Sequence, residues 1–150
     1  MTELRILFTS VGRRVELVQA FHKASIEMNK TLKIYGADVS STAPALKFCD
    51  EVRIIDRISN LNYIPNLLKM CREDSIDLLI PTIDTDLLAL SEVKGNFTDI
   101  GTKVLISEPD IIRICRDKRK TQEFFNKCGV YAPDTFDNYI DYNSGFPCFV

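Results

Sequence analysis

Apolar and polar residues change period several times along this chain, and each change marks an element. Residues 4–9 (LRILFT) form a short apolar run rich in strand formers that stops at Ser10-Val11-Gly12. From Arg13 the spacing turns helical: Leu17, Ala20, Phe21, Ala24 and Met28 trace one face of a helix ending near Asn29. Residues 32–37 are a second strand, closed by Asp38, and residues 51–55 a third, shorter one; the loop between them holds a helical turn at residues 45–48. Leu61, Ile64, Leu68 and Cys71 are again helically spaced, which Pro65 tolerates only in a first turn. Residues 77–81 (DLLIP) are apolar without alternation, as in a strand covered on both faces. A helix beginning around Asp84 to Asp86 carries Leu87, Leu88 and Leu90 and loosens by Gly95, and residues 103–106 are the fifth strand.

Strands and helices alternating at this spacing predict βαβ units with right-handed crossovers, hence a doubly wound α/β fold on a parallel sheet of about five strands. Ser107 is expected to cap a helix with Pro109 near its start and Asp110 in the capping-box position. Asp117 caps the next, which packs Phe124 and Phe125 and stops after Cys128 at Gly129. Beyond it, residues 131–135 read as a connector and residues 145–150 as the start of a new strand. The expected organisation is one domain over 1–128, followed by a linker and the first strand of another over 129–150.

Composition narrows the function without naming it. A chain of 150 residues with 45% hydrophobic and 27% charged side chains can bury one ordinary core. Nineteen Lys and Arg against 21 Asp and Glu leave a charge of −2, which argues against a strongly basic nucleic-acid binder. No apolar run reaches the roughly 18 residues of a membrane span, and MTELRILF is not a secretory leader. The five cysteines include no C-x-x-C pair and read as reduced, mostly packed thiols of a cytoplasmic protein. His22, the sole histidine, reads as structural or solvated and leaves no basis for His-based metal sites or triads.

In an open parallel sheet, ligands bind outside the carboxyl ends of the strands. Ser10, Gly12, Arg13 and Arg14 follow the first strand and lead into a helix N-terminus, a place that favours anions. The two arginines suit carboxylate or phosphate. A single glycine is not the G-x-G-x-x-G of dinucleotide folds, although Asp38 stands where a ribose-binding acid would. After the fourth strand come Asp84 and Asp86; one can cap the following helix, leaving the other for a ligand amine or a metal, although the pair is not a metal site by spacing alone.

Asp117-Lys118 opening a capped helix, then Gly129, then Pro133-Asp-Thr135, then Phe146-Pro147, is an order of motifs that resembles the entry to the ATP-grasp fold. In that superfamily a Rossmann-like preATP-grasp domain precedes the ATP-binding module, and the likeness is to stand-alone proteins similar to the carbamoyl-phosphate synthase large chain and to amino-acid ligases. The resemblance spans all 150 residues. It implies a ligase that activates a carboxylate as an acyl phosphate with ATP and Mg²⁺ and joins it to an amine. Lys118 would reach nucleotide phosphates, and Ser10, Gly12, Arg13, Arg14, Asp38, Asp84 and Asp86 would face the small-molecule substrate. Mg²⁺ ligands and most nucleotide contacts would belong to the module that follows, so these residues alone are expected to be inactive. A homodimer is compatible with this reading. The competing reading is a free-standing Rossmann-like module that binds a nucleotide or anion without catalysis.

Overall fold

The computed structural model describes residues 3–133 together with 135, 136 and 138. The chain divides into two compact units, Met1–Glu108 and Pro109–Val150.

The first unit is built on five parallel strands, β1 (Leu4–Thr9), β2 (Leu32–Asp38), β3 (Glu51–Ile54), β4 (Leu78–Pro81) and β5 (Lys103–Val104), in the order β3-β2-β1-β4-β5. Between them lie α1 (Val15–Glu27), a 3-10 turn (Pro44–Phe48), α2 (Tyr63–Glu73), α3 (Asp84–Glu92) and α4 (Lys94–Thr98). The order reverses at β1, so β1 and β4 form the switch point. Side chains of a strand alternate between faces. Ile6 and Phe8 accordingly enter a core with Val18, Ile34 and Leu46, whereas Leu7 enters the other with Tyr35, Leu67, Leu79 and Phe97. Phe8 meets Phe21 edge-on at 5.1 Å. Gly36 is a steric necessity: a Cβ there would stand 2.5 Å from Cys49 Sγ and 3.0 Å from Leu46 Cδ2.

The predicted doubly wound parallel sheet is present, with local differences that have local causes. The spacing that puts Leu61 on a helix face fails because the Asn60 side chain and carbonyl accept from Asn62 N and Tyr63 N and hold a turn; α2 starts at Tyr63 and Leu61 is 94% exposed. Tyr63, Leu67 and Cys71 form the buried stripe instead, and Pro65 does sit in the first turn. The helix over Leu87 to Leu90 stops at Glu92, and Gly95 belongs to the separate α4. β3 and β5 end one and two residues short of the predicted limits.

The second unit holds α5 (Pro109–Arg116) and α6 (Lys118–Lys127). Pro109 is the first helical residue of α5, so Ser107 lies one position too far out to cap it, and Asp110 pairs with Arg113 at 2.9 Å rather than closing a capping box. Asp117 does cap α6, accepting from Arg119 N at 3.0 Å. α6 ends as predicted at Gly129, whose φ of +68° lets Val130 N reach back to Phe125 O at 2.9 Å. The expected packing of Phe124 and Phe125 is not found among the described residues: both are exposed, as are Cys115 and Cys128. The strand expected at residues 145–150, with Cys148, lies outside the described residues.

Candidate functional site

The loops after β1 and β4 are adjacent because the strands pair from Ile6↔Leu78 to Thr9↔Pro81. Ser10 takes φ +53°, unusual for a residue with a Cβ, and Gly12 φ +47°. Together these turn the chain sharply into α1. Most of the loop's polar groups are satisfied within the protein. Val11 N donates to Ala37 O at 3.1 Å, Gly12 N to Asp38 Oδ2 at 2.8 Å, and Arg14 N to Val11 O at 2.9 Å. The other Asp38 oxygen accepts from Ser40 N at 3.0 Å. Asp38 is thus the anion resident at the Gly12 turn, with one hydrogen bond on each carboxylate oxygen.

Asp86 is 2% exposed and accepts from Ser10 Oγ at 2.6 Å. Thr82 Oγ1 donates to Ser10 O at 2.6 Å, Thr82 N to Thr9 O at 3.2 Å, and the Arg14 guanidinium to Thr82 O at 3.3 Å. These bonds lace the two loops together across the switch point. Beneath them lie the buried hydroxyls of Thr9 and Tyr63, which meet no partner at hydrogen-bonding geometry. Burial, and then the neighbouring Asp86 charge, raise the Tyr63 phenol above its ordinary pKa.

Three of the predicted residues remain outward. Arg13 and Asp84 are exposed and make no side-chain bond among the described residues, and Arg14, next to Arg13 in sequence, is exposed and among the described residues is anchored through Thr82. The edge therefore divides into an internally bonded frame (Ser10 and Gly12, half-buried, on Asp38 and Asp86, buried) and a charged rim (Arg13, Arg14, Asp84). Such a rim offers cations for a carboxylate and an acid for an amine. The structural parts of Thr82 and Tyr63 had only weak signals in the sequence: a hydroxyl next to a strand end, and an aromatic residue hidden by the apparent helix face that included Leu61. A separate open depression of about 860 Å³ lies past the ends of β2 and β3, beside Ser40, Ser41 and Arg57.

In the second unit Lys118 is the first residue of α6, exposed and without a side-chain partner among the described residues, as is Lys120. No cluster of three or more His, Cys, Asp or Glu side chains placed to hold a metal ion occurs among the described residues. No described helix is long and apolar enough to cross a membrane.

An open, all-parallel sheet reversing at β1, with its polar loops gathered at the strand ends, defines a Rossmann-like α/β domain. The chain belongs to the family described as PylC-like, N-terminal domain, whose model matches residues 6–105. The resemblance to a preATP-grasp domain is thereby borne out. Among solved structures, the fold is similar to the biotin carboxylase domain of a single-chain bacterial carboxylase (16% identity over 85% of this chain and 29% of that one, TM-score 0.55). It is also similar to the multifunctional pyruvate carboxylase from Rhizobium etli (16%, 89% and 13%, 0.56). A third is the biotin carboxylase domain dimer of the Hydrogenobacter thermophilus 2-oxoglutarate carboxylase, in complex with MgADP, ADP and bicarbonate (18%, 84% and 27%, 0.54). At these identities the likeness establishes the fold, and the chain spans less than a third of each of these proteins. No curated protein matches the sequence.

Proposed function

We propose that this chain is the N-terminal, substrate-side domain of an ATP-dependent carboxylate–amine ligase similar to the carbamoyl-phosphate synthase large chain. The observation that carries this reading is the charged rim of Arg13, Arg14 and Asp84 standing on a frame whose other polar groups are internally satisfied. The arginines hold the substrate carboxylate and Asp84 orients the amine, while Ser10, Gly12, Asp38 and Asp86 fix the loops that present them. ATP with Mg²⁺, when bound by the parent enzyme, supplies the phosphoryl group that turns the carboxylate into an acyl phosphate; the amine then displaces phosphate. Lys118 reaches the nucleotide phosphates as a mobile point charge. In this reading residues 1–128 form the preATP-grasp domain, 129–150 lead into the ATP-grasp module, and the parent enzyme works in the cytoplasm on small molecules, a homodimer being its simplest assembly.

The test uses the full-length protein that carries this domain. Lys118→Ala should weaken ATP use about 10- to 150-fold, the loss of a charge-assisted hydrogen bond, whereas Lys120→Ala, about 200° further round the helix, should change it by less than about 0.5 kcal/mol. Arg13→Ala with Arg14→Ala should raise the KM for the carboxylate without changing that for ATP. Equal, small effects of all these changes would favour a binding module without catalysis.

A further inference from the structure

We infer that Asp86 is a positioning residue rather than a ligand contact: its buried carboxylate holds Ser10 in the left-handed conformation and thereby sets the direction in which Arg13 and Arg14 leave the sheet. Four observations converge on this. Ser10 has φ +53°, a conformation that a residue with a Cβ adopts only when its surroundings impose it. Its hydroxyl donates to Asp86 at 2.6 Å and its carbonyl accepts from Thr82 Oγ1 at 2.6 Å, so the residue is gripped at the side chain by the first turn of α3 and at the main chain by the loop before it. Asp86 is 2% exposed, which removes it from contact with a solvent-borne amine. Finally, Arg14, four residues after Ser10, itself reaches back to Thr82 O, so the arginines leave the loop within a few residues of the clamp.

The chemistry favours a carboxylate at position 86. A charged acceptor makes a shorter and stronger bond to a hydroxyl than a neutral one does, and inside the fold that bond is weakly screened. The bond offsets the cost of placing a Cβ at positive φ. Glycine would take that conformation without the cost of a Cβ; Asn29 and Ser75 bear that cost elsewhere in the chain, and at Ser10 the bond to Asp86 offsets it.

This inference rests on the proposed substrate-side reading only for its consequence at the rim; the test reads the clamp itself. Amide hydrogen exchange on the whole chain supplies local reporters in Val11 N, Gly12 N and Thr82 N and distant ones in Lys103 N and Leu105 N, all bonded to backbone or side-chain oxygens. Ser10→Ala, which keeps the Cβ and loses the hydroxyl, should speed exchange of the local reporters about 10- to 150-fold, the range for a lost hydrogen bond to a charged group, with the distant reporters unchanged. Ser10→Gly should have a smaller effect, because it removes the strain along with the bond. Asp86→Ala should reproduce the loss and Asp86→Asn, which retains an acceptor, should restore most of it. Should Asp86→Ala not fold, the Ser10 pair decides alone. Unchanged local exchange in Ser10→Ala, equal acceleration at local and distant reporters, or a Ser10→Gly effect as large as that of Ser10→Ala would overturn the clamp. A clamp that stands while Arg13→Ala and Arg14→Ala leave substrate KM unchanged would retire the substrate-side reading instead.

Discussion

The two units of this chain bury their apolar residues to very different degrees. Met1–Glu108 encloses two cores on the two faces of one sheet, with Leu7, Phe8, Ile34, Leu79 and Phe97 fully or almost fully removed from solvent. In Pro109–Val150 only Ile112 is buried among the described residues, while Phe124, Phe125, Val130 and Tyr131 are exposed and α6 has no buried residue. The first unit is stabilised chiefly by hydrophobic burial, and its loops are held by hydrogen bonds that leave little backbone unsatisfied. Among the described residues of the second, local helix chemistry is prominent, the Asp117 cap and the Gly129 end, which short helices turn into little stability by themselves. Opening free energies should therefore be high throughout the sheet and low in α5 and α6.

Truncation in the core should give the largest effect and mark the contrast most clearly. Leu7 is completely buried at the centre of the sheet. Leu7→Ala should cost about 2–5 kcal/mol in urea unfolding, transfer and cavity terms together. Tyr131→Ala, at a side chain 96% exposed, should stay within about 0.5 kcal/mol. A Tyr131 loss comparable to that of Leu7 would mean that the second unit has a core of its own.

Gly36→Ala should follow, at about 1–3 kcal/mol for overpacking, because the added methyl meets Cys49 Sγ at 2.5 Å. Cys49→Ala in the same chain should relieve a substantial part of that cost, giving a coupling of roughly 0.5–3 kcal/mol in a double-mutant cycle. Strict additivity would shift the blame to Leu46 Cδ2, which stands 3.0 Å from the same point.

The thiols sharpen the contrast by a smaller amount. Burial pushes Cys71 up to about 12 and Cys49 up to about 11, both from an ordinary value of 9.0, whereas Cys115 and Cys128 are exposed. Iodoacetamide at pH 8 should accordingly label Cys115 and Cys128 first and Cys71 last, as read by peptide mass. A raised folded-state pKa means that the native chain binds more protons than the unfolded one between the two values. The stability contributed is complete below pH 9 and falls as pH rises towards 11 for Cys49 and 12 for Cys71, by up to about 1.4 kcal/mol per pH unit and thiol. Cys71→Ala should show a shallower alkaline decline than the unmodified chain.

Most of the sheet was legible because apolar runs and helical spacing report burial directly: β1 falls on the predicted residues, and the Asp117 and Gly129 signals bound α6 as read. Misreadings arose where a polar residue overrode the pattern. Leu61 fits a helical stripe, yet the Asn60 turn excludes it. The packing assigned to Phe124 and Phe125 failed because apolar spacing shows which residues could share a face but not whether anything covers it. At the candidate site, residue types pointed to loops that the fold brings side by side but could not sort their residues. Asp84 and Asp86 look alike in sequence, and only the hydrogen bond to Ser10 shows that one belongs to the frame and the other to the rim. Nothing in the sequence shows that Asp38 accepts from Gly12 N and Ser40 N and so also holds the turn.

The smallest expected effect concerns the second unit alone. Asp117 accepts from Arg119 N at 3.0 Å and from the Arg119 guanidinium at 3.2 Å, and these contacts, the side chain first, hold its carboxyl below the ordinary range. A lowered folded-state pKa reverses the sign found for the thiols: the contribution is complete above the ordinary carboxylate pKa and is lost as pH falls through the folded value. Acidification should therefore fray the first turn of α6 before it touches the sheet, and Asp117→Ala should do the same at neutral pH by removing the acceptor for an otherwise orphaned helix amide. The measurement is the set of Cα chemical shifts over residues 118–122, with the β1 and β2 shifts as internal control. Loss of helical shifts confined to α6 would fit two units of unequal cohesion. A matching disturbance in β1 would show that the cap of α6 is energetically tied to the sheet, and the comparison between the units would have to be redrawn as one cooperative body.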